Sequence, residues 1–293
     1  MNFNNLKLKF IFLKELLLKQ TIKKIFTIMI RFLMGLSKTN NFIRTILDII
    51  VTQNSKKIET INIKNSQIKL YETNSITKYR NDTFFIKEPE TLEWINSFEK
   101  NENFWDVGAN VGLYSIYAAK IASCKVIAFE PSVFNLELLA KNIYKNSLHH
   151  KISIFPFSLS NKILISNFRN TSVAHGAALS TLENKNLKKK QILDDECSYQ
   201  IPTLSLDSIV DIFKVEPPKY LKIDVDGFEY EILMGSSSIL AHITSILIEI
   251  DQRQRTKSKK IFSILKTHNF ILAKEGSKEP NSYTVNQIWE KHY

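Results

Sequence analysis

The chain has 293 residues, 44% of them hydrophobic, and a formal net charge of +11, which is enough apolar material for one large domain with an appendage or for two small ones. Residues 1–50 hold nine Lys/Arg against Glu15 and Asp48, so most of the excess charge sits there, and the basic stripe expected of a nucleic-acid binder is absent from the remainder. Cys124 and Cys197 stand alone with no Cys-x-x-Cys pair, which argues for a reducing, cytoplasmic setting and against a disulfide framework or a zinc site.

Residues 1–54 read as a basic helical extension. Positions 3–36 lack proline, have no glycine before Gly35, and are rich in Leu, Ile, Phe and Lys. Two readings stay open: helices packed on the domain behind them, or a cationic, apolar arm in peripheral contact with an anionic membrane. Lys14, Lys19, Lys23, Lys24 and Arg31 interrupt the apolar runs. A window of about 18 uncharged apolar residues is therefore missing, and neither a span nor a secretory signal is expected. Residues 55–101 read as a small lead-in. Alternation at Ile61-Asn62-Ile63 and Ile68-Lys69-Leu70-Tyr71 predicts a hairpin. Residues 88–100, with Trp94, Ile95 and Phe98, predict a capped amphipathic helix.

From 102 to 293 strands and helices alternate. Apolar strands are predicted at 103–107, 125–130, 151–157, 219–225 and 244–250, and helices at 112–121, 132–146, 228–240 and 256–268. Such alternation specifies an α/β fold with a mostly parallel sheet covered on both faces. Residues 166–200 are polar, include Lys188-Lys189-Lys190, and predict a surface excursion with a hairpin. Residues 269–288 are expected to add an antiparallel C-terminal edge strand.

Three features converge on the carboxyl end of the first parallel strand, where open α/β sheets bind ligands. The first is the turn Asp106-Val107-Gly108-Ala109-Asn110-Val111-Gly112, in a chain with only seven glycines. Gly108 permits a tight turn, Gly112 lets a helix begin close to a ligand, and Asp106 can accept from a cationic or hydroxyl group. The second is Glu130 at the end of the next strand, placed to accept from two ribose hydroxyls. The third is Ser158-Leu159-Ser160-Asn161, where polar groups can reach an adenine edge. A dinucleotide site wants glycine where Asn110 stands, and Asp106 would repel a diphosphate. A nucleoside ligand with a positive centre, an amino-acid tail and no phosphate fits better, and S-adenosylmethionine has that chemistry.

The chain resembles the FkbM family of S-adenosylmethionine-dependent methyltransferases over roughly residues 103–275. The likeness rests on Phe104 to Gly112, on Val126-Ile127-Ala128-Phe129-Glu130-Pro131, on Ser205-Leu206-Asp207, and above all on Leu221-Lys222-Ile223-Asp224-Val225-Asp226-Gly227-Phe228-Glu229. It implies a class I, Rossmann-like methyltransferase sheet. It also implies a cofactor site of Asp106, Gly108, Ala109, Asn110, Gly112, Glu130, Pro131 and Ser158, and methyl transfer to a hydroxyl on a sugar or another small-molecule acceptor. Asp226 stands where similar proteins carry Glu, and Asn161 where they often carry Asp. The first 100 residues lie outside the likeness.

Asp224 and Asp226 are two apart at a strand end, Lys222 shares their parity one step deeper, and Glu229 opens the next helix. Charges so placed are costly without a use. Asp224 is the expected base or acceptor-binding group, Glu229 the second candidate, and Lys222 the group that tunes them. No metal is expected in the site. His175 is a loop histidine that could reach the acceptor, and Glu249 points to the acceptor side or into a core hydrogen bond. The sequence-level conclusion is an O-methyltransferase acting on a saccharide or polysaccharide/glycolipid precursor, with no nucleic-acid partner. The alternative is a catalytically inactive scaffold of a membrane-associated glycan assembly.

Overall fold

A computed structural model describes residues 24–25, 27–36, 38, 40–54, 57–63, 66–182, 197–276 and 282–292. Residues 3–23 of the basic extension and Lys188-Lys189-Lys190 lie outside them. The chain divides into two units, 1–56 and 57–293. In the first, residues 24–25 and 27–36 are helical, and α1 (Asn41–Asn54) follows. No helix among the described residues is long and apolar enough to cross a membrane.

The second unit opens with the predicted hairpin, β1 (Ile58–Ile63) and β2 (Ser66–Tyr71). Next come α2 (Ser75–Asp82), capped by Asn74 and Thr77, and α3 (Pro89–Asn96), which starts on a proline. The core sheet is built from β3 (Asn103–Val107), β4 (Lys125–Phe129), β5 (Ile152–Phe155), β10 (Tyr220–Ile223), β11 (Ser245–Asp251), β12 (Phe270–Glu275) and β13 (Thr284–Lys291). Between β5 and β10 the chain forms β6 (Ser158–Leu159), β7 (Leu164–Asn170), β8 (Thr181–Leu182) and β9 (Cys197–Leu204). The helices are α4 (Leu113–Ile121), α5 (Val133–Lys145), α6 (Leu206–Phe213), α7 (Glu229–Met234) and α8 (Arg255–Thr267).

The sheet order is β12-β13-β11-β10-β3-β4-β5. β3, β4, β5, β10 and β11 run parallel, as the apolar strand pattern predicts, and β13 runs antiparallel to both neighbours. The expected antiparallel C-terminal edge strand is β12. β13 inserts between it and β11. The reason is pairing: β13 carries Val285, Asn286, Gln287, Ile288 and Trp289 as a buried run, which suits an internal position, whereas β12 is exposed after Phe270. The excursion is also more structured than a lone hairpin, since β6, β9, β7 and β8 form a second sheet. The predicted helix 228–240 breaks at Gly235, where a side chain would meet the Ser160 carbonyl, and resumes as a 3-10 turn at Ile239–Ala241.

Strand parity sorts the core. Phe104, Val126, Ala128, Tyr220 and Leu247 face one side, with the hairpin, α3, α4 and α5. Trp105, Val107, Phe129, Leu221, Ile223, Ile246 and Ile248 face the other, with α6, α7 and α8. Phe98 stacks on Tyr220 at 3.8 Å, and the buried Trp94 indole donates to Ser245 Oγ at 2.8 Å. The hairpin docks through two asparagines of α5 and its C-cap. Asn146 accepts from Lys69 N–H (2.9 Å) and donates to its carbonyl (2.7 Å), and Asn142 accepts from Tyr71 N–H (2.9 Å). These side chains satisfy an edge that would otherwise be left unpaired.

Candidate functional site

β3 lies at the centre, with β4 on one side and β10 on the other, so the turns leaving β3 and β10 diverge and open a crevice. A cavity of about 550 Å³ lies there, lined by residues 107–111, 129–131, 157–159 and 177–182, and by Lys222, Asp224 and Asp226. That volume is ordinary for a small-molecule site.

Gly108 has φ +86°, and a side chain on it would collide with the Asp224 carbonyl oxygen. Asp224 N–H in turn donates to Val107 O at 3.0 Å. Glycine is therefore required where β3 and β10 nearly touch. Gly112 plays a different part from the one expected. It has φ +88°, but an added Cβ would sit 2.5 Å from Leu139 Cδ1, and the residue is not part of the cavity wall. Its bareness lets α4 pack on α5.

The turn also excludes phosphate. Gly108 and Ala109 N–H both donate to Phe129 O (3.0 Å each), Asn110 N–H to Glu130 Oε2 (2.8 Å), and Gly112 N–H to Ala109 O (2.8 Å). These donors are consumed, so no nest of free N–H groups faces an anion. What remains is acceptors. Asp106 Oδ2 takes the Ser115 hydroxyl at 2.6 Å, while Asp106 Oδ1 and Asn110 Oδ1 are buried without a partner. The turn therefore offers acceptors for hydroxyls and positive charge and no cradle of free N–H groups for a diphosphate, while the cations of the cavity wall, Arg80, Lys87, Lys222 and Arg253, come from other segments. Asp106 itself is buried, stands behind the cavity wall, and is raised above the ordinary aspartate range by burial, against the opposing charge of Lys222.

Glu130 stands at the cavity, as expected, and Pro131 and Ser158 line it beside Phe129 and Phe157. Glu130 accepts from Asn110 N–H and Ser132 N–H, both at 2.8 Å, so it braces the glycine turn and keeps lone pairs for ligand hydroxyls. Burial pushes its carboxyl up to about 7. Asn161 and His175 are not part of the wall. His175 instead meets Thr73 Oγ1 at 3.1 Å and Glu137 at 3.5 Å.

At the other end Lys222, 1% exposed, reaches Asp224 Oδ2 at 2.7 Å and lies 5.2 Å over the Tyr114 ring. Burial alone would lower the Lys222 pKa, but Asp224, Asp106 and Glu88 raise it beyond its ordinary value. Burial opposes ionisation of Asp224 as well, yet Lys222 holds it below the usual carboxylate range. The pair is therefore a fixed ion pair at neutral pH. Asp226, at φ 57°, accepts Leu179 N–H at 2.7 Å, and burial followed by Asp224 pushes it up to about 6. Glu229 is placed off the cavity. Its Oε1 accepts Gly227 N–H at 3.0 Å and Val225 N–H at 3.4 Å, bracing the loop between β10 and α7. Glu249 does line the cavity, and burial followed by Asp224 pushes it up to about 8. Among the described residues no group of His, Cys, Asp and Glu is arranged to hold a metal ion.

Several lining residues escaped the sequence reading. Arg80, Lys87 and Glu88 come from the lead-in, Arg253 from the turn after β11, and Tyr283 and Thr284 from the start of β13. Tyr114 donates to Glu88 Oε2 at 2.9 Å. The excursion is pinned to the turn and to α5: Asn110 Nδ2 donates to Ala177 O (2.9 Å), and Gly176 N–H donates to Asn135 Oδ1 of α5 (2.9 Å). The one local signal was Tyr114, in the first turn of the helix after the glycines.

The methyltransferase FkbM domain family matches residues 106–272. The hexuronic acid methyltransferase AglP of Haloferax volcanii is 26% identical over 152 residues, 52% of this chain and 57% of AglP. The AMB antimetabolite synthetase AmbE of Pseudomonas aeruginosa is 24% identical over 223 residues, 61% of this chain and 10% of AmbE. The chain thus spans little more than half of one curated relative and a tenth of the other. Among solved structures, a putative rRNA-methylase from Clostridium thermocellum superposes with a TM-score of 0.44 at 12% identity, covering 69% of this chain and 94% of that one.

Proposed function

Because the chain belongs to the methyltransferase FkbM domain family and takes S-adenosylmethionine as its cofactor, we propose that it methylates a hydroxyl of a sugar or of a polysaccharide or glycolipid precursor. The observation that carries the reading is the juxtaposition of the phosphate-excluding turn 106–112 with the buried Lys222–Asp224 pair at the adjacent strand end. AglP, named for a hexuronic acid, supports a sugar acceptor.

When bound, the cofactor supplies an electrophilic methyl on a sulfonium. Glu130 would accept from the ribose hydroxyls, and Phe129, Phe157 and Ser158 would flank the base. Asp224 lines the cavity at the end of β10, and the acceptor hydroxyl would approach it there. It would orient that hydroxyl and draw its proton, while Lys222 fixes the carboxylate in place. Glu229 would hold the loop that carries Asp224 and Asp226. An inactive scaffold is the weaker reading, because a buried, cavity-facing ion pair is costly to keep without a use.

Calorimetric titration with S-adenosylhomocysteine tests the proposal. Binding is expected, and no heat at high micromolar ligand would remove the enzyme reading. Binding without transfer to any glycan fraction would favour the scaffold.

The extension is proposed to meet an anionic membrane surface. Ile28, Phe32 and Phe42 are 67%, 67% and 72% exposed, next to Lys24, Arg31 and Arg44, with Asp48 the one acid among the described residues 24–54. Co-sedimentation with anionic but not neutral liposomes is the expected result, and equal recovery in both would refute it.

A further inference from the structure

Arg80 stands in the last turn of α2, ahead of the family-matched region, and lines the cavity. Its Nε donates to Gly176 O at 2.8 Å. A guanidinium has several further N–H donors in a rigid fork, and among the described residues no carboxylate pairs with it. The other cations on the wall have carboxylate partners: Lys222 with Asp224 (2.7 Å), Lys87 with Glu88 (3.1 Å), Arg253 with Asp251 (2.9 Å). The acids of the wall are served elsewhere too. Glu130 has two backbone N–H donors, Asp226 the Leu179 N–H, and Glu88 the Tyr114 hydroxyl. Glu130, Asp224 and Asp226, the carboxylates at both ends of the cavity, line the same wall as Arg80, and each feels its charge weakly. The Gly176 tether fixes its Nε edge and leaves the rest of the fork available to a ligand.

We propose that Arg80 is the carboxylate receptor of this cavity, binding an acid group of the molecules that react there. This rests on the methyltransferase reading above. Two sources supply that chemistry: the amino-acid carboxylate of the cofactor, and the acid group of an acidic sugar acceptor. A planar fork suits a carboxylate better than a hydroxyl or an ammonium does, and a neutral, carboxylate-free ligand set would leave a half-buried guanidinium unmatched.

The test uses the full chain as wild type, Arg80→Gln and Arg80→Lys, each checked for an unchanged cooperative melt. One arm titrates S-adenosylhomocysteine against 5′-deoxy-5′-methylthioadenosine, which keeps the nucleoside and thioether and lacks the amino-acid carboxylate. The other arm titrates the S-adenosylhomocysteine-loaded protein with glucuronate against glucose. Arg80→Gln is expected to weaken the carboxylate-bearing member of one pair by about 10- to 100-fold and leave its carboxylate-free partner unchanged, as loss of a charged hydrogen-bond partner does. Loss in the first arm assigns the cofactor as source, and loss in the second assigns the acceptor. Arg80→Lys should recover only part of the loss, because an ammonium lacks the fork. Equal weakening of both members of a pair would reduce Arg80 to a tether for Gly176, and no weakening in either arm would overturn the proposal. Failure of the wild type to bind S-adenosylhomocysteine at all would instead bring down the methyltransferase reading beneath it.

Discussion

Replacing Glu130 with Gln should flatten the pH dependence of folding. Glu130 is 5% exposed, and burial lifts its carboxyl from an ordinary 4.5 to about 7. The difference is roughly 2.5 units, worth about 3 kcal/mol at 1.36 kcal/mol per unit. The sign follows from proton counting. Between pH 4.5 and 7 the folded protein holds a proton on Glu130 that the unfolded chain has released, so stability falls as pH rises through this window. The contribution is fully present below 4.5 and lost above 7. Glutamine does not titrate. It offers one acceptor and one NH₂, so it leaves Asn110 N–H or Ser132 N–H unpaired, at about 1–3 kcal/mol. That cost is independent of pH and shifts the curve without tilting it. Urea unfolding of ligand-free protein from pH 4.5 to 8.5, followed by tryptophan fluorescence, measures the effect. The stability of wild type minus that of Glu130→Gln should drop by about 3 kcal/mol across the range. Parallel curves would refute the assignment of a buried, proton-holding Glu130. Under the proposed ribose role, S-adenosylhomocysteine affinity should also rise through pH 7 in wild type and lose that rise in the variant.

Gly108→Ala should destabilise the protein by about 3 kcal/mol or more, because it combines a left-handed φ with a backbone collision. Gly112→Ala should cost less, since its obstacle is the mobile end of Leu139, and thermal melts of the two variants would rank them. Asp224→Asn is expected to leave S-adenosylhomocysteine affinity largely intact while methyl transfer falls at least about 100-fold, and retained transfer would remove Asp224 from the mechanism. The same substitution takes away the charge that raises Glu249 most, so the Glu249 titration should move down from about 8. Carboxyl-labelled NMR would report it, and an unmoved midpoint would show that the two groups are not coupled. If Glu249 assists the reaction as a base, the rate should climb as pH passes 8, and Glu249→Gln should abolish that climb.

The glycine turn, the strand-final Glu130 and the Lys222-Ile223-Asp224 run were legible in the linear chain because each is local. Parallel strands leave apolar runs that stop where a turn begins, and polar residues at those stops all project beyond the same sheet edge. Gly112 was harder, since glycine marks only that a side chain is unwelcome. Its neighbour, Leu139, lies on another helix. Glu229 was misplaced for a similar reason: helix-initial acids look alike whether they face a ligand or, as here, fold back onto Gly227 and Val225 N–H.

What the sequence determined by itself was the period of the strands and helices, the glycine turn after β3, and a carboxylate-bearing strand end across from it. The tertiary structure alone decided which residues close the cavity. Arg80 and Lys87 reach it because α2 is tied to His175 and Gly176 across about a hundred residues, and Tyr283 and Thr284 reach it because β13 inserts beside β11 instead of adding at the edge. Such choices depend on pairings between distant segments, whose free energy is set by burial and hydrogen-bond matching in the assembled fold. No window of the chain contains both partners.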